Sequence, residues 1–67
     1  MIICLIGKRI KQSQYKREFI QVYMGVSRNT LSNWSTGKNY PSVPQLFKLA
    51  ALLDVKVDDL YIYKAEE

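Results

Sequence analysis

The stretch REFIQVYMGVSRNTLSNWSTG, residues 17–37, decides the fold of this chain. Two segments with apolar residues at helical spacing are separated by Gly25, a residue that adopts the positive φ of a helix end at no steric cost. Ser27 follows, and serine is a preferred helix N-cap. The stretch therefore predicts a helix over residues 16–24, a tight turn, and a second helix over residues 27–35.

The apolar residues of this unit are expected to face a common core from both helices. They are Ile20, Met24, Val26, Leu31 and Trp34. The three-residue spacing of Leu31 and Trp34 favours core packing of the indole over base stacking. The other aromatic residues Phe19, Tyr23 and Phe47 are expected at core or half-buried positions, whereas Tyr15 fits a buried or an exposed position.

The outward face of the second helix is polar and carries no acidic residue. Arginine matches the O6 and N7 acceptors of guanine, and asparagine matches N6 and N7 of adenine. A helix that only faces solvent usually carries some glutamate. We therefore expect this face to read base edges of double-stranded DNA in the major groove. The candidate base-reading residues are Arg28, Asn29, Thr30, Ser32 and Asn33.

Charge is distributed unevenly along the chain. Residues 1–48 contain eight Lys or Arg and one Glu, a balance of +7, whereas residues 49–67 contain two Lys and five Asp or Glu, a balance of −3. The basic part favours a polyanionic partner, and the acidic end is not expected to lie on it.

The length and composition argue against several classes of function. Residues 1–67 are enough for a single domain. With one cysteine, Cys4, and no histidine, neither an internal disulfide nor a Cys/His zinc site is expected. The sequence contains no histidine that could act as a base, no glycine-rich phosphate loop and no pair of carboxylates spaced for acid–base catalysis. We therefore expect that the protein is not an enzyme and that it binds no cofactor, metal or small-molecule ligand.

The single cysteine and the apolar N-terminal run bear on the cellular location of the protein. Cys4 is expected to be a small buried hydrophobe and not a redox switch, and a single thiol suits a reducing cytoplasm. The apolar run Met1–Ile6 is too short for a membrane span and lacks the preceding positive charges of a signal peptide.

Outside the central unit, the pattern predicts further helices. One begins at about Leu5 and ends before residues 12–15. Another is capped by Ser42, with Gln45 at the capping-box position, and its apolar stripe comprises Leu46, Leu49, Ala50 and Leu53. Residues 57–60 are expected to form one short helical turn.

The two ends of the chain have strand-like composition. We predict that residues 1–4 and 61–63 pair as a two-stranded ribbon. A frayed, solvent-exposed tail would not be expected to carry the apolar sequence Tyr-Ile-Tyr. The alternative is that residues 1–6 extend the first helix while the tail frays.

Several segments together resemble the Cro/C1-type (XRE) helix-turn-helix family over about residues 6–61. The segments are GVSRNTLSNW (25–34), TGKNYPS (36–42), LFKLA (46–50) and DDLY (58–61). The resemblance implies a nearly all-α, compact lambda-repressor-like domain of four to five helices, with the helix-turn-helix unit at residues 17–35. It also implies a transcriptional regulator, with repression favoured, that binds operator-like DNA.

The resemblance also implies site residues. Arg28, Asn29 and Asn33 fall where the family reads bases, and Arg17 falls where a polar residue braces on the DNA backbone. The loop after the recognition helix matches the segment that contacts phosphate through side chains and backbone N–H groups. The expected backbone contacts are Lys16, Arg17, Ser27, Lys38, Asn39 and Tyr40.

The chain departs from the family pattern at four places. Gln21 stands where a small residue, most often alanine, is usual, and is expected to affect the angle between the two helices. Ser35 replaces a common glutamate, and Asp54 replaces a glycine, which requires a left-handed aspartate. The connection between the first two helices also lacks its usual glycine.

Three functional hypotheses follow. The first is sequence-specific DNA binding by a homodimer on a two-fold-related site, with the apolar and acidic C-terminal region as the dimer surface. The alternatives within it are binding as a monomer, as a tandem array or together with a partner protein. The second is a protein-interaction module, such as an antirepressor, that kept the fold. RNA binding is a weaker third, because no exposed aromatic platform is expected.

Overall fold

The computed structural model of the chain describes residues 1–65 as four α-helices and a small antiparallel ribbon. The elements are β1 (Ile2–Cys4), α1 (Ile6–Gln12), α2 (Arg17–Met24), α3 (Arg28–Thr36), α4 (Val43–Leu53), a 3₁₀ turn (Val57–Asp59) and β2 (Tyr61–Tyr63). The nearly all-α fold is therefore confirmed. Glu66 and Glu67, which contribute to the acidic balance of the C-terminal part, lie outside the described residues.

The helix ends form as the capping residues predict. Gly25 and Gly37 end α2 and α3 with φ of 69° and 80°, and Asp54 ends α4 with φ of 56°. In the capping box of α4, Ser42 Oγ accepts from the Gln45 N–H at 3.3 Å, and the Ser42 N–H donates to Gln45 Oε1 at 2.8 Å. Local side-chain chemistry thus sets where the helices begin and end.

The ends of the described chain are joined by the predicted ribbon. The strands β1 and β2 are antiparallel, with Ile2 opposite Tyr63, Ile3 opposite Ile62 and Cys4 opposite Tyr61. Beyond them, the N-terminal ammonium donates to the Lys64 carbonyl at 2.9 Å, and the Lys64 N–H donates to the Met1 carbonyl at 2.8 Å. The alternative, in which residues 1–6 extend the first helix, is wrong.

The core is formed by one strip of residues from each helix together with Leu60. Its buried members are Ile6, Ile10, Ile20, Met24, Leu31, Trp34, Leu49, Ala50 and Leu60. Four of the five residues expected inside the helix-turn-helix unit belong to this set. The fifth, Val26, is half-buried and packs against it.

The sequence prediction is wrong for three aromatic residues that were expected at core or half-buried positions. The exposed fractions of Phe19, Tyr23 and Phe47 are 48%, 42% and 62%. The helices are short and each contributes a narrow buried strip, which aliphatic side chains and the Trp34 indole already fill. Phe19 and Tyr23 therefore lie on the flank of α2, and Phe47 lies on the surface of α4.

Cys4 attaches the ribbon to the C-terminal end of α3. It is half-buried, and its Sγ donates a hydrogen bond to the Trp34 carbonyl at 3.1 Å. The neighbouring Tyr61 hydroxyl is buried with no hydrogen-bond partner among residues 1–65. Burial, with a smaller contribution from Cys4, raises the pKa of this hydroxyl above its usual range, so the phenol stays neutral.

At Gly7, α1 packs tightly against α3. A Cβ added to Gly7 would lie 2.9 Å from the backbone oxygen of Ser35. Gly7→Ala is therefore expected to push the two helices apart and lower the free energy of unfolding by about 1–2 kcal/mol, net of the better helix propensity of alanine. Urea unfolding followed by circular dichroism measures this change.

Lys8→Ala is the matched control for Gly7→Ala, because Lys8 is the exposed next residue of the same helix. Its effect is expected to stay within about 0.5 kcal/mol. Equal unfolding midpoints for the two variants would contradict the close approach of α1 and α3.

Candidate nucleic-acid interface

The outward face of α3 presents the residues predicted to read bases. Arg28, Asn29 and Ser32 are exposed, and Asn33 and Thr30 are half-buried. Leu31 and Trp34 of the same helix are buried in the core. The period of the helix thus separates an inner structural face from an outer polar face.

The hydrogen bonds of α3 leave most of this outer face unoccupied. Within residues 1–65, the side chains that form hydrogen bonds around the helix are those of Cys4, Arg17, Ser27, Thr30, Ser35 and Thr36. The side chains of the other predicted readers form none, although the Ser32 and Asn33 carbonyls accept from Thr36 Oγ1. Ser27 Oγ accepts from the Thr30 N–H at 3.1 Å and donates to Thr30 Oγ1 at 3.0 Å. The hydroxyl of Thr30 therefore accepts a hydrogen bond in the helix cap, and its own O–H and its methyl group remain for a phosphate or a base.

The N-terminus of α2 lies beside the C-terminal end of α3. Arg17 Nη2 donates to Ser35 Oγ at 3.3 Å, and Ser35 Oγ donates to the Leu31 carbonyl at 2.9 Å. Lys16, at the N-cap position of α2, supplies no side-chain cap. Among residues 1–65, no side chain caps the first N–H groups of α2, and uncapped N–H groups of this kind favour an anion.

The loop after α3 contains the next predicted backbone contacts. Lys38 and Asn39 are exposed, but both of their N–H groups donate to the Asn33 carbonyl, at 3.0 and 3.2 Å. These two N–H groups therefore already have an acceptor at the end of α3. Contact of the loop with phosphate stays a prediction, and for Lys38 and Asn39 it depends on the side chains.

Tyr40 is the last member of the predicted backbone set. Its ring packs against the ring of Tyr61 in a tilted arrangement, with centroids 5.7 Å apart, while 60% of its surface stays exposed. It lies at the border between the loop and the ribbon.

The structure also places two cations of α1 beside the end of α3. A groove between α1 and the end of α3 is lined by Gly7, Lys8, Lys11, Gln12, Arg17, Ser35 and Thr36. Three of these residues are cationic and none is acidic. Periodicity within α1 cannot show that Lys8 and Lys11 lie beside α3, because that depends on the contact at Gly7.

The flank of α2 carries the exposed rings of Phe19 and Tyr23, next to the half-buried ring of Tyr15. The ring centroids of Tyr15 and Phe19 are 5.2 Å apart, and those of Phe19 and Tyr23 are 6.1 Å apart. Lys48 Nζ lies 5.0 Å from the Tyr23 centroid. These rings stack on one another along the flank of α2, so neighbouring rings take part of the surface that an unpaired base would need.

Two further observations concern other kinds of site. Within residues 1–65, no group of three or more His, Cys, Asp or Glu side chains lies in a position to hold a metal ion. None of the helices in the same part of the chain combines the length and the apolar character needed to cross a membrane.

Comparisons with known proteins agree with this geometry. The profile of a family described as helix-turn-helix matches residues 6–60. An uncharacterized HTH-type transcriptional regulator of Methanocaldococcus jannaschii is 41% identical over 44 residues, which are 66% of this chain and 67% of that protein. The crystal structure of a candidate DNA-binding protein from Bacteroides fragilis superposes with a TM-score of 0.83 at 32% identity, covering 92% of this chain and all of that chain.

Proposed function

The chain belongs to the Cro/C1-type helix-turn-helix family, and from this premise we propose that it binds double-stranded DNA and regulates transcription, with α3 in the major groove. One observation carries the proposal. The outward face of α3 consists of Arg28, Asn29, Ser32 and Asn33, whose side chains form no hydrogen bonds within residues 1–65, and these residue types match base edges.

The surrounding cations would fix the register of α3 on the duplex. In the loop after α3, the side chains of Lys38 and Asn39 are exposed. In the groove beside the end of α3 lie the cationic side chains of Arg17, Lys8 and Lys11. Contacts of this kind to phosphate position a protein without reading sequence, so the two groups of residues have separable roles.

The proposal extends to the number of copies bound to DNA, the direction of regulation and the cellular location. A domain with one recognition helix makes few base contacts, so useful specificity requires two copies on a two-fold-related site. Repression then follows from occupying an operator. We assign no catalytic step and no cofactor to this role, and we place it in the cytoplasm, which suits the free thiol of Cys4.

Selection from a pool of random duplex DNA at low salt tests the function. We expect enrichment of one short motif, repeated with two-fold symmetry at a spacing of about one helical turn. A pool that stays random would contradict sequence-specific binding.

Lys38→Ala is expected to weaken binding to all duplexes by a similar factor. Removing one phosphate contact should reduce the slope of log K against log salt by about one unit. Affinity measured at several salt concentrations provides that slope. Lys48→Ala is the control, because Lys48 is an exposed residue of α4 over the Tyr23 ring, outside the proposed interface, and an equal change in its slope would contradict a specific contact at Lys38.

A protein-interaction role is the second candidate. The exposed rings of Phe19 and Tyr23 favour it, since exposed aromatic residues are enriched in protein interfaces. If this role replaced DNA binding, Phe19→Ala would abolish transcriptional regulation and Arg28→Ala would leave regulation intact. The DNA-binding proposal expects that Arg28→Ala impairs regulation and that Phe19→Ala does not.

A further inference from the structure

A hollow of about 370 Å³ opens beside the ribbon, where β2, the loop after α3 and the 3₁₀ turn meet. Three tyrosines contribute to its lining, Tyr40 from the loop and Tyr61 and Tyr63 from β2. The rest of the lining is aliphatic or proline, apart from one charged residue, Asp58. An apolar hollow of this size with few polar groups has the usual form of a small-molecule site.

The fold brings the lining together from distant parts of the chain. Residues 2, 40–41, 46, 57–58 and 61–63 contribute to it. No short motif of the sequence joins these positions, which is why no small-molecule ligand was expected from the sequence.

The three rings adjoin one another in this hollow. The ring centroids of Tyr40 and Tyr61 are 5.7 Å apart, and their planes meet at 56°. Tyr61 and Tyr63 are two residues apart in β2, so their side chains lie on the same face of the strand. Tyr40 and Tyr63 have 60% and 72% of their surfaces exposed, which leaves ring surface open to a ligand. Aromatic rings carry negative charge on their faces and attract cations there.

Asp58 adds a full negative charge to the same lining. Its side chain is exposed and forms no hydrogen bond within residues 1–65. The cap of the 3₁₀ turn comes from Asp59 instead, whose carboxylate accepts from the Lys56 N–H at 3.0 Å. The Asp58 carboxylate is therefore left for a ligand.

The cations of the chain itself do not line the hollow. Lys56 and Lys64 are near Asp58 and Tyr63 in sequence, but neither belongs to the lining. The chain has a net charge of +4, and the groove between α1 and α3 contains three cations and no carboxylate. The hollow has the opposite charge character, which favours a positively charged ligand.

We infer that this hollow binds a small organic ammonium compound, with the cationic group held by the three tyrosine rings and Asp58. Methyl groups on the ammonium nitrogen would contact the aliphatic part of the lining, so a methylated cation gains from both parts of the site. A strongly hydrated inorganic cation gains nothing from the aliphatic part. The inference goes beyond DNA binding, because none of the outward residues of α3 lines the hollow.

Titration of the nitrogen-15-labelled free protein with choline chloride, followed by NMR, tests the inference. We expect saturable shifts of the amide signals around the hollow, with a Kd on the order of 1 mM. Dimethylbutanol, in which carbon replaces the ammonium nitrogen of choline, is expected to bind about tenfold more weakly. Sodium chloride at the same ionic strength should not reproduce the shifts.

Two kinds of variant separate the roles of charge and ring. Asp58→Asn is expected to raise the Kd for choline about fivefold, which corresponds to one charge pair at contact in water. Tyr63→Leu is expected to raise it about 2–5-fold, whereas Tyr63→Phe keeps the ring and stays close to the wild type. The affinity for dimethylbutanol should change less in each case.

Matched controls lie outside the hollow. Asp54→Asn removes the same charge from the end of α4, where asparagine also tolerates the left-handed conformation. Tyr23→Leu removes an exposed tyrosine of α2. Both should leave the Kd for choline unchanged. Circular dichroism confirms that each variant folds, and Asp58→Asn gives an independent reading if Tyr63→Leu does not fold.

The outcomes decide the inference without any DNA. Shifts that do not saturate by about 50 mM choline, or equal affinity for choline and dimethylbutanol, overturn it. An equal loss of affinity in Asp58→Asn and Asp54→Asn overturns it as well. Saturable binding that is weakened in Asp58→Asn and retained in Asp54→Asn supports it, whatever the selection from duplex DNA shows.

Discussion

Trp34→Ala is expected to lower the free energy of unfolding by about 3–5 kcal/mol. The indole is 3% exposed and lies in the core beside Leu31, so truncation leaves a large cavity. A domain of this length has a stability of order 3–10 kcal/mol. The variant should therefore be largely unfolded or close to it, which urea denaturation followed by circular dichroism and proteolysis will show.

Two substitutions on the same helix are the controls for Trp34→Ala. Trp34→Phe keeps most of the apolar volume and is expected to cost less than Trp34→Ala. Ser32→Ala changes an exposed residue on the opposite face and is expected to alter stability by no more than about 0.5 kcal/mol. A stable Trp34→Ala variant with impaired DNA binding would instead assign the indole to the interface.

Arg28→Ala and Asn33→Ala are expected to remove sequence preference at one base position each. Loss of a bidentate pair costs about 1–3 kcal/mol against the preferred base and little against the others. Arg28 is fully outside the core, so its removal leaves stability nearly unchanged. Competition binding against all single-base variants of the selected site gives the preference at each position.

Lys38→Ala is the contrasting variant for this experiment. It should lower affinity for every duplex by a similar factor and leave the preferences intact. If the reader variants and Lys38→Ala gave the same uniform loss, the division into base-reading and phosphate-contacting residues would be wrong.

The parts of the fold set by local chemistry were predictable from the sequence. Gly25, Gly37 and Asp54 adopt left-handed conformations at the expected helix ends, because few residues tolerate positive φ. The ribbon was predictable from the β-branched and aromatic residues at the two ends. Both are properties of single residues or of short segments.

The features that depend on how helices pack were not predictable in the same way. The aromatic residues Phe19, Tyr23 and Phe47 were expected at core or half-buried positions, since nothing in their local pattern shows that other side chains already fill the core. Lys8 and Lys11 have no defined role until the contact of α1 with α3 places them beside Arg17.

Gln21 illustrates a residue whose effect stays a prediction. It is half-buried in α2, and its carbonyl accepts from the Val26 N–H at 3.0 Å. The expected effect of its side chain on the angle between α2 and α3 would appear as a changed base preference in Gln21→Ala, with the phosphate contacts retained.

Direct base reading by α3 is tested most directly by a double-mutant cycle on the selected duplex. Each guanine is replaced in turn by 7-deazaguanine, which lacks the N7 acceptor, and affinity is measured for the wild type and for Arg28→Ala. We expect one guanine at which the replacement weakens the wild type by about 1 kcal/mol or more and leaves Arg28→Ala unchanged. If every replacement affects the two proteins equally, Arg28 does not contact a guanine N7, and the proposed role of α3 in the major groove is contradicted.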